Sequence, residues 1–264
     1  MHDDLGDRMK DQYEGRTRYL LPRRTCSILR ADGRAFHTYT RGLQRPFDEA
    51  LTDDMDATAL ALCEGIDGAR LAFVQSDEIS VLFSDFATPE TNAWFDGNIQ
   101  KIVSIGASIA TAAFNGARGA RGPLPPVKQW AQFDARVFTI SDPVEVENYF
   151  IWRQQDAIRN SILMVAQAHF SPQELHGQNT AELRRRLESE KGVSWEAFPA
   201  RFRQGRVAER KERSGDVEYL DKRTGEPRKV EGVVRRSWEA EAAPLFTGDR
   251  SFLRQRIPTH DAAG

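Results

Sequence analysis

The chain has 264 residues, of which 40 % are hydrophobic and 29 % charged, and its formal net charge is −2. That length holds one large domain or a core domain with an appendage, and the charged fraction marks a well-solvated surface. No apolar run approaches a bilayer-spanning helix, and residues 1–10 are too acidic and polar for a secretory signal, so no membrane partner is expected and cytoplasm is the default compartment. Cys26 and Cys63 form no C-x-x-C pair and lack matching His spacing, which argues against a disulfide framework or a cysteine zinc site.

Residues Thr25–Leu29 are a short apolar run with β-branched members, leading into Ala31-Asp32-Gly33: a strand entering a turn. Phe47, Leu51, Met55, Ala59 and Leu62 recur at helical spacing and predict an amphipathic helix over Phe47–Glu64. Leu71–Val74 and Ile79–Phe83 are apolar strands separated by Gln75-Ser76-Asp77-Glu78, close enough to require a hairpin. Ile99, Ile102, Val103, Gly106, Ile109, Ala110 and Ala113 predict a second helix, and Asn115–Pro126, rich in Gly, Pro and Arg, reads as an exposed loop. Phe133–Ile140 is a fourth strand. A long helix follows to about Phe170, with Asp142 as N-cap, Pro143 at its first position and Glu145 completing a capping box. Ser171-Pro172-Gln173-Glu174 and Asn179-Thr180-Ala181-Glu182 open two further helices.

Strand, helix, strand, strand, helix, strand is the ferredoxin-like βαββαβ arrangement of an α+β protein, shared by polymerase palm domains. The reading divides the chain into a catalytic domain over 1–170, with an N-terminal extension, and a helical and basic β-rich region over 171–264. Residues 201–236 carry 12 Lys/Arg against 7 Asp/Glu, a basic segment on an otherwise acidic chain. Gly205–Arg213 and Val217–Leu220 predict a basic hairpin turning at Ser214-Gly215-Asp216, with a third strand at Lys229–Arg235 after Thr224-Gly225-Glu226-Pro227. That segment is where a nucleic-acid backbone would lie, through counterion release, with Arg206, Arg210 and Arg213 as the phosphate-contacting candidates.

In this topology the first strand lies beside the hairpin, so Asp32 approaches Asp77 and Glu78 and three carboxylates converge on one sheet edge. Like charges so placed call for a cation, and hard oxygen ligands select Mg²⁺. Two such ions polarise a phosphoryl group and help to ionise an attacking hydroxyl without a His or Lys base. Gly33 beside them admits a close backbone or phosphate approach. The alternative is that Asp, Glu and Gly are ordinary solvated turn residues.

Ile28-Leu29-Arg30-Ala31-Asp32-Gly33-Arg34-Ala35-Phe36-His37 and Gln75-Ser76-Asp77-Glu78-Ile79-Ser80 resemble the two signature segments of the tRNA-His guanylyltransferase family. Leu5-Gly6-Asp7-Arg8-Met9-Lys10, Phe133-Asp134-Ala135-Arg136 and Tyr149-Phe150-Ile151-Trp152-Arg153-Gln154-Gln155-Asp156 are similar to further family segments, in the same order. The resemblance implies a palm fold and nucleotide addition to the 5′ end of tRNA, running 3′–5′ on an end activated by adenylylation or already triphosphorylated. It implies that Asp32, Asp77 and the Gly33 carbonyl hold two Mg²⁺ ions, and that Glu78 supports the site. Asp32, Gly33, Arg34, Ala35, Phe36, His37, Ser76 and Asp77 would contact the nucleotide, GTP or ATP, with Arg45 and Lys101 matching basic positions linked to the triphosphate. A homotetramer is the family's common assembly.

Two departures bear on substrate choice. Ile158-Arg159-Asn160-Ser161 stands where tRNA-His-specific eukaryotic enzymes carry His-Ile-Asn-Asn, so only Asn160 matches as a tRNA contact. Asp96-Gly97-Asn98 replaces a basic run before Lys101. Both make the chain resemble the guanylyltransferase-like branch, which repairs truncated tRNA 5′ ends against a template base; untemplated G addition to tRNA-His is the alternative. A purine-nucleotide cyclase could use the same palm without RNA. A non-catalytic RNA-binding module would present exposed aromatics on its central strands. Asp156 reads equally as an ion-pair partner of Arg153 or Arg159, Arg136 and Asp134 as a charge pair on one strand face, and His37 as a structural side chain.

Overall fold

A computed structural model describes residues 4–121, 130–220 and 223–259. Beyond a short α1 (Asp4–Met9), the chain enters β1 (Cys26–Gly33), a one-turn α2 (Phe36–Tyr39) and α3 (Glu49–Gly65), then the hairpin β2 (Ala69–Gln75) and β3 (Glu78–Phe83). It continues through α4 (Ile99–Ala120), β4 (Phe133–Ile140), α5 (Pro143–His169), α6 (Pro172–Leu175), α7 (Thr180–Lys191), β5 (Arg206–Leu220) and β6 (Pro227–Ala242). The sheet is antiparallel in the order β4-β1-β3-β2-β5-β6, so its first four strands have the ferredoxin-like palm order.

Alternation along each strand divides the core in two. Leu29, Ala31, Val74, Ile79 and Val81 face α3 and α4, against Met55, Leu62, Ile102 and Phe114. Ile28, Leu71, Phe73 and Leu82 face Phe150 of α5 and the C-terminal side chains Phe246, Leu253 and Ile257. The outer half of α5 packs on α7 through Val165, Leu183, Leu187 and Trp195. Residues after 170 are therefore tied into the palm: β5 pairs with β2 from Ala72↔Ala208 to Val74↔Arg206.

Several local expectations need correction. Residues Asn115–Ala120 are helical, because Asn115 is bonded to both ends of Ala131 and Arg118 is ion-paired with buried Asp54. Most of the remaining expected loop lies outside the described residues. Asp142 caps α5 by accepting from the Val144 amide, but Glu145 accepts from Asn148 and closes no capping box there. The reciprocal box is at α6, where the Glu174 carboxylate accepts the Ser171 amide, and Asn179 caps α7. The basic segment forms two long strands, not three: Ser214-Gly215-Asp216 is no turn but a register irregularity within β5, and the hairpin closes between Leu220 and Pro227.

Candidate active site

Asp32 is the penultimate residue of β1, and its Cα partners are Glu78 on β3 and Asp134 on β4. Three acidic side chains thus stand in a row on one sheet face. Asp77 occupies the tight β2–β3 turn, where Gln75 and Glu78 are paired, and the Gly33 amide donates to the Asp77 carbonyl at 3.0 Å. This bond locks the end of β1 to the turn. Ser76 (φ 45°) and Ala35 (φ 54°) flank the two aspartates, both in the left-handed region that non-glycine residues seldom occupy and that clusters at functional sites. Gly33 is needed for a packing reason: a Cβ there would lie 2.3 Å from the Phe36 ring.

The three expected carboxylates do not act alike. Glu78 is clamped bidentately by Arg153 of α5, with both N–O distances 2.8 Å. Arg153 also holds Asp156 at 2.9 Å and lies over the Trp152 ring. Both ion pairs weighed for Asp156 are present, since Arg159 bonds it too, and Asn160 reaches it at 3.4 Å. Arg136 sits 3.4 Å from Asp134 and 3.9 Å from Asp32. Burial raises the pKa of Asp77, assisted by the charges of Asp32 and Glu78 and opposed by hydrogen bonds. Of the row and the turn, Asp32 and Asp77 are the carboxylates not committed to a close arginine.

Among the described residues no three Asp, Glu, His or Cys side chains form a ready metal cage. Two carboxylates with a neighbouring carbonyl nonetheless fit Mg²⁺, which typically takes one or two carboxylates and fills its octahedron with water and substrate phosphate. Burial first, and then the charges of Asp32 and Glu78, disfavour the bare Asp77 carboxylate, and a bound cation would offset both.

A cleft of about 340 Å³ opens beside this turn, lined by Phe36, His37, Arg45, Asp48, Ser76 and Asp77 among others. The Phe36 and His37 amides that open α2 lack intrahelical partners, whereas those of Thr38 and Tyr39 donate to the Ala35 carbonyl, and Arg45 supplies a cation. A narrower pocket adjoins it, sharing Asp48, Leu51, Ser76 and Met164 and adding Asn160 and Gln75. Other expected contacts fall elsewhere. The Phe36 ring is buried in the aromatic cluster with Tyr39, Phe114 and Phe133, leaving mainly its main chain to face a ligand. Arg34 is exposed and bonded to Gln132. Lys101 lies near the start of α4, about 20 Å by helical rise from the Phe114 that packs on Phe36, which excludes it from this chain's own cleft. Arg206 is 5 % exposed and bonded to Asp56, so it is a core ion pair and not a phosphate contact. Arg210 and Arg213 are exposed on the ribbon, Arg213 pairing with Glu239 at 2.6 Å.

The sequence reading missed the Arg153–Glu78 clamp and the placement of Asp134 beside Asp32. The first was hidden because 75 residues separate the partners. The second followed from the strand order, had the register been drawn. The central strands β1 and β3 expose no aromatic side chain, which removes the mark of a base-stacking RNA-binding module.

The palm sheet with two uncommitted aspartates at the end of β1 and in the β2–β3 turn is the arrangement of a palm-type nucleotidyltransferase. The model of the family described as tRNAHis guanylyltransferase matches residues 6–141, more than half of the chain, and the chain belongs to that family. It is similar to a bacterial tRNA(His) guanylyltransferase (Thg1)-like protein solved in complex with ATP: 37 % identity, TM-score 0.82, over 97 % of this chain and 99 % of that one. A bacterial protein of the same description in complex with GTP is 36 % identical, with a TM-score of 0.77 over 97 % of this chain and 100 % of that one. The tRNA(His) guanylyltransferase of Schizosaccharomyces pombe is 26 % identical over 74 % of this chain and 77 % of its own length. No helix among the described residues is long and apolar enough to cross a membrane.

Proposed function

We propose that this enzyme adds nucleotides in the 3′–5′ direction to the 5′ end of tRNA, restoring missing residues against the opposite strand. The observation that carries the reading is the pairing of Asp32 and Asp77, joined through Gly33, at the mouth of a cleft holding Arg45. Asp32, Asp77 and the Gly33 carbonyl would hold Mg²⁺, which when bound polarises the phosphoryl group and lowers the pKa of the attacking hydroxyl. The 3′ hydroxyl of the incoming nucleotide attacks the activated 5′ phosphorus; a P–O bond forms, and AMP or pyrophosphate leaves. Arg45 and the first amides of α2 bind and orient phosphates beside that centre. Arg153 holds both Glu78 oxygens through hydrogen bonds, so Glu78 does not compete for the ligand positions of Asp77. GTP and ATP are the expected nucleotides, the compartment is the cytoplasm, and the assembly is a homotetramer.

Repair is favoured over tRNA-His-specific addition by the residues around Asn160. That side chain is held by Asp156 and lines the pocket next to Ser76, while Ile158 packs into the α5–α7 core. The His and second Asn that could read one particular tRNA are absent, so base pairing would choose the nucleotide and the protein would read shape and phosphate. We expect kcat/KM on a tRNA lacking its first nucleotide to equal or exceed that on intact tRNA-His, with each added base set by its pairing partner. A strong preference for intact tRNA-His, with G inserted whatever the opposite base, overturns the repair assignment.

The ribbon gives a second test. Neutralising Arg210 and Arg213 together should reduce the magnitude of the slope of log K for tRNA against log salt by about 0.7–0.9 for each phosphate no longer neutralised. An unchanged slope places the RNA elsewhere on the protein.

A further inference from the structure

Beside α5, strand β4 forms an open shelf that the nucleotide cleft does not reach. The shelf begins at Asp134, level with Asp32, and passes Arg136, then Phe138 and Ile140, on the face turned to α5. At its far half lies an open groove of about 570 Å³ lined by Ile140, Asp142, Glu145, Asn148, Tyr149 and Trp152 among others. Trp152 is 51 % exposed although it sits among large buried side chains. The Arg153 guanidinium lies 4.4 Å from its ring centroid and Tyr149 meets it edge-on, so much of the indole remains open to solvent. An exposed indole pre-positioned by a cation and a second aromatic is a platform for a planar partner.

The approach to that platform carries two arginines between the Asp32–Asp134 pair and the Asp142 and Glu145 of the groove. Arg30 and Arg136 are direct Cα partners on β1 and β4, an arrangement of like charges that costs stability unless an anion lies across it. The Arg30 Nε is buried without a hydrogen-bond partner, and the contacts of Arg136 to Asp134 and Asp32 are long. A strand of phosphates leaving the Asp32–Asp77 centre would cross these two arginines before its bases came level with Trp152. Stacking is sequence-tolerant, because every base has a π-face, and the groove supplies acceptors and donors without a fixed pattern.

We infer that the β4–α5 groove holds the single-stranded 3′ end of the RNA, with one unpaired base stacked on Trp152. This rests on the proposed 5′-end chemistry: a duplex whose 5′ terminus abuts Asp32 and Asp77 leaves its partner strand to run on unpaired, and the groove is the aromatic surface on the same sheet face. In that arrangement the terminal base pair lies at Asp32 and Asp77, so the base that reaches Trp152 belongs to the overhang.

The test compares binding of two tRNAs by the full chain, one with its single-stranded 3′ end and one trimmed to the last base pair, using fluorescence anisotropy at fixed salt. Wild type should bind the intact RNA on the order of tenfold more tightly than the trimmed one. Trp152→Ala should abolish that difference, and Trp152→Phe, which keeps an aromatic face, should preserve most of it. Equal binding of the two RNAs by wild type, or a Trp152→Ala loss of the same factor on both, overturns the inference. Nucleotide addition by wild type to the 5′ end of either RNA is scored in parallel. Addition without discrimination refutes the groove alone, whereas failure of both RNAs to be extended refutes the underlying reaction.

Discussion

Asp32→Asn and Asp77→Asn should each lower nucleotide addition by on the order of 100-fold or more in saturating Mg²⁺, measured as single-turnover transfer to a truncated tRNA. Either variant retaining a tenth of the wild-type rate would sink the two-aspartate centre. The cause lies in position: among the described residues Asp77 has no ion-pair partner and Asp32 only the distant Arg136 at 3.9 Å, so both are open to a cation at the proposed centre. Stability should move the other way for Asp77. Its folded-state pKa is raised by burial, then by Asp32 and Glu78, so the folded chain without metal holds that proton more tightly than the unfolded chain. Stability is therefore lost as pH rises from the ordinary Asp range through the raised value, and Asn removes that loss. Thermal melts near pH 7 without metal should show Asp77→Asn at or above wild type. Added Mg²⁺ should raise the wild-type midpoint and leave that of the variant nearly unmoved.

Arg206→Met should be the most damaging change outside the site. The guanidinium is almost fully enclosed, burial works against its charge, and Asp56 is the compensating partner. Removing one member of such a pair leaves the other charge buried, at a cost of about 3–5 kcal/mol. For a chain of this size that corresponds to a fall in melting temperature on the order of 10 °C. Asp56→Leu added to Arg206→Met should recover much of the loss, because an apolar pair of similar volume needs no compensation; Arg201 keeps its second partner, Asp53, at 2.5 Å. A single variant that melts with wild type would show the pair to be incidental. Salt dependence of RNA binding should be unaltered by the double variant, since Arg206 does not reach the surface.

The palm was legible because its strands are apolar runs and its helices periodic; β1, the β2–β3 hairpin, α3, β4 and α5 lie where those patterns put them, within a few residues. The juxtaposition of Asp32 with the hairpin also followed, since strand order fixes which ends meet. What charge counting could not show was partnership. Arg206 and Arg210 look alike in the sequence, yet one meets Asp56 across 150 residues and the other faces solvent. Helix α4 ran on past Asn115 because Gly116 and Gly119 face open space and tertiary bonds hold the turn, overriding a composition typical of loops. Ser214-Gly215-Asp216 carried turn chemistry, but cross-strand pairs on both sides, Arg213–Glu239 and Lys229–Asp216, keep the ribbon running through it. Lys101 matched by family resemblance alone, and resemblance says nothing about which end of a 22-residue helix faces the cleft.

The β5–β6 ribbon leaves the sheet at Ala208, the last β5 residue paired with β2; Glu209 is still held by Arg256, and β5 then continues to Leu220 paired with β6. At about 3.3 Å per residue that is a cantilever on the order of 40 Å. A twist of about 10° at its root displaces the tip by about 7 Å at that spacing, while β1 and β3 stay clamped between helices. Angular error is thus magnified at the tip and absorbed before it reaches Asp32. The tip can therefore shift by several ångströms without altering the geometry at Asp32, so compliance and exactness are assigned to different parts of one sheet.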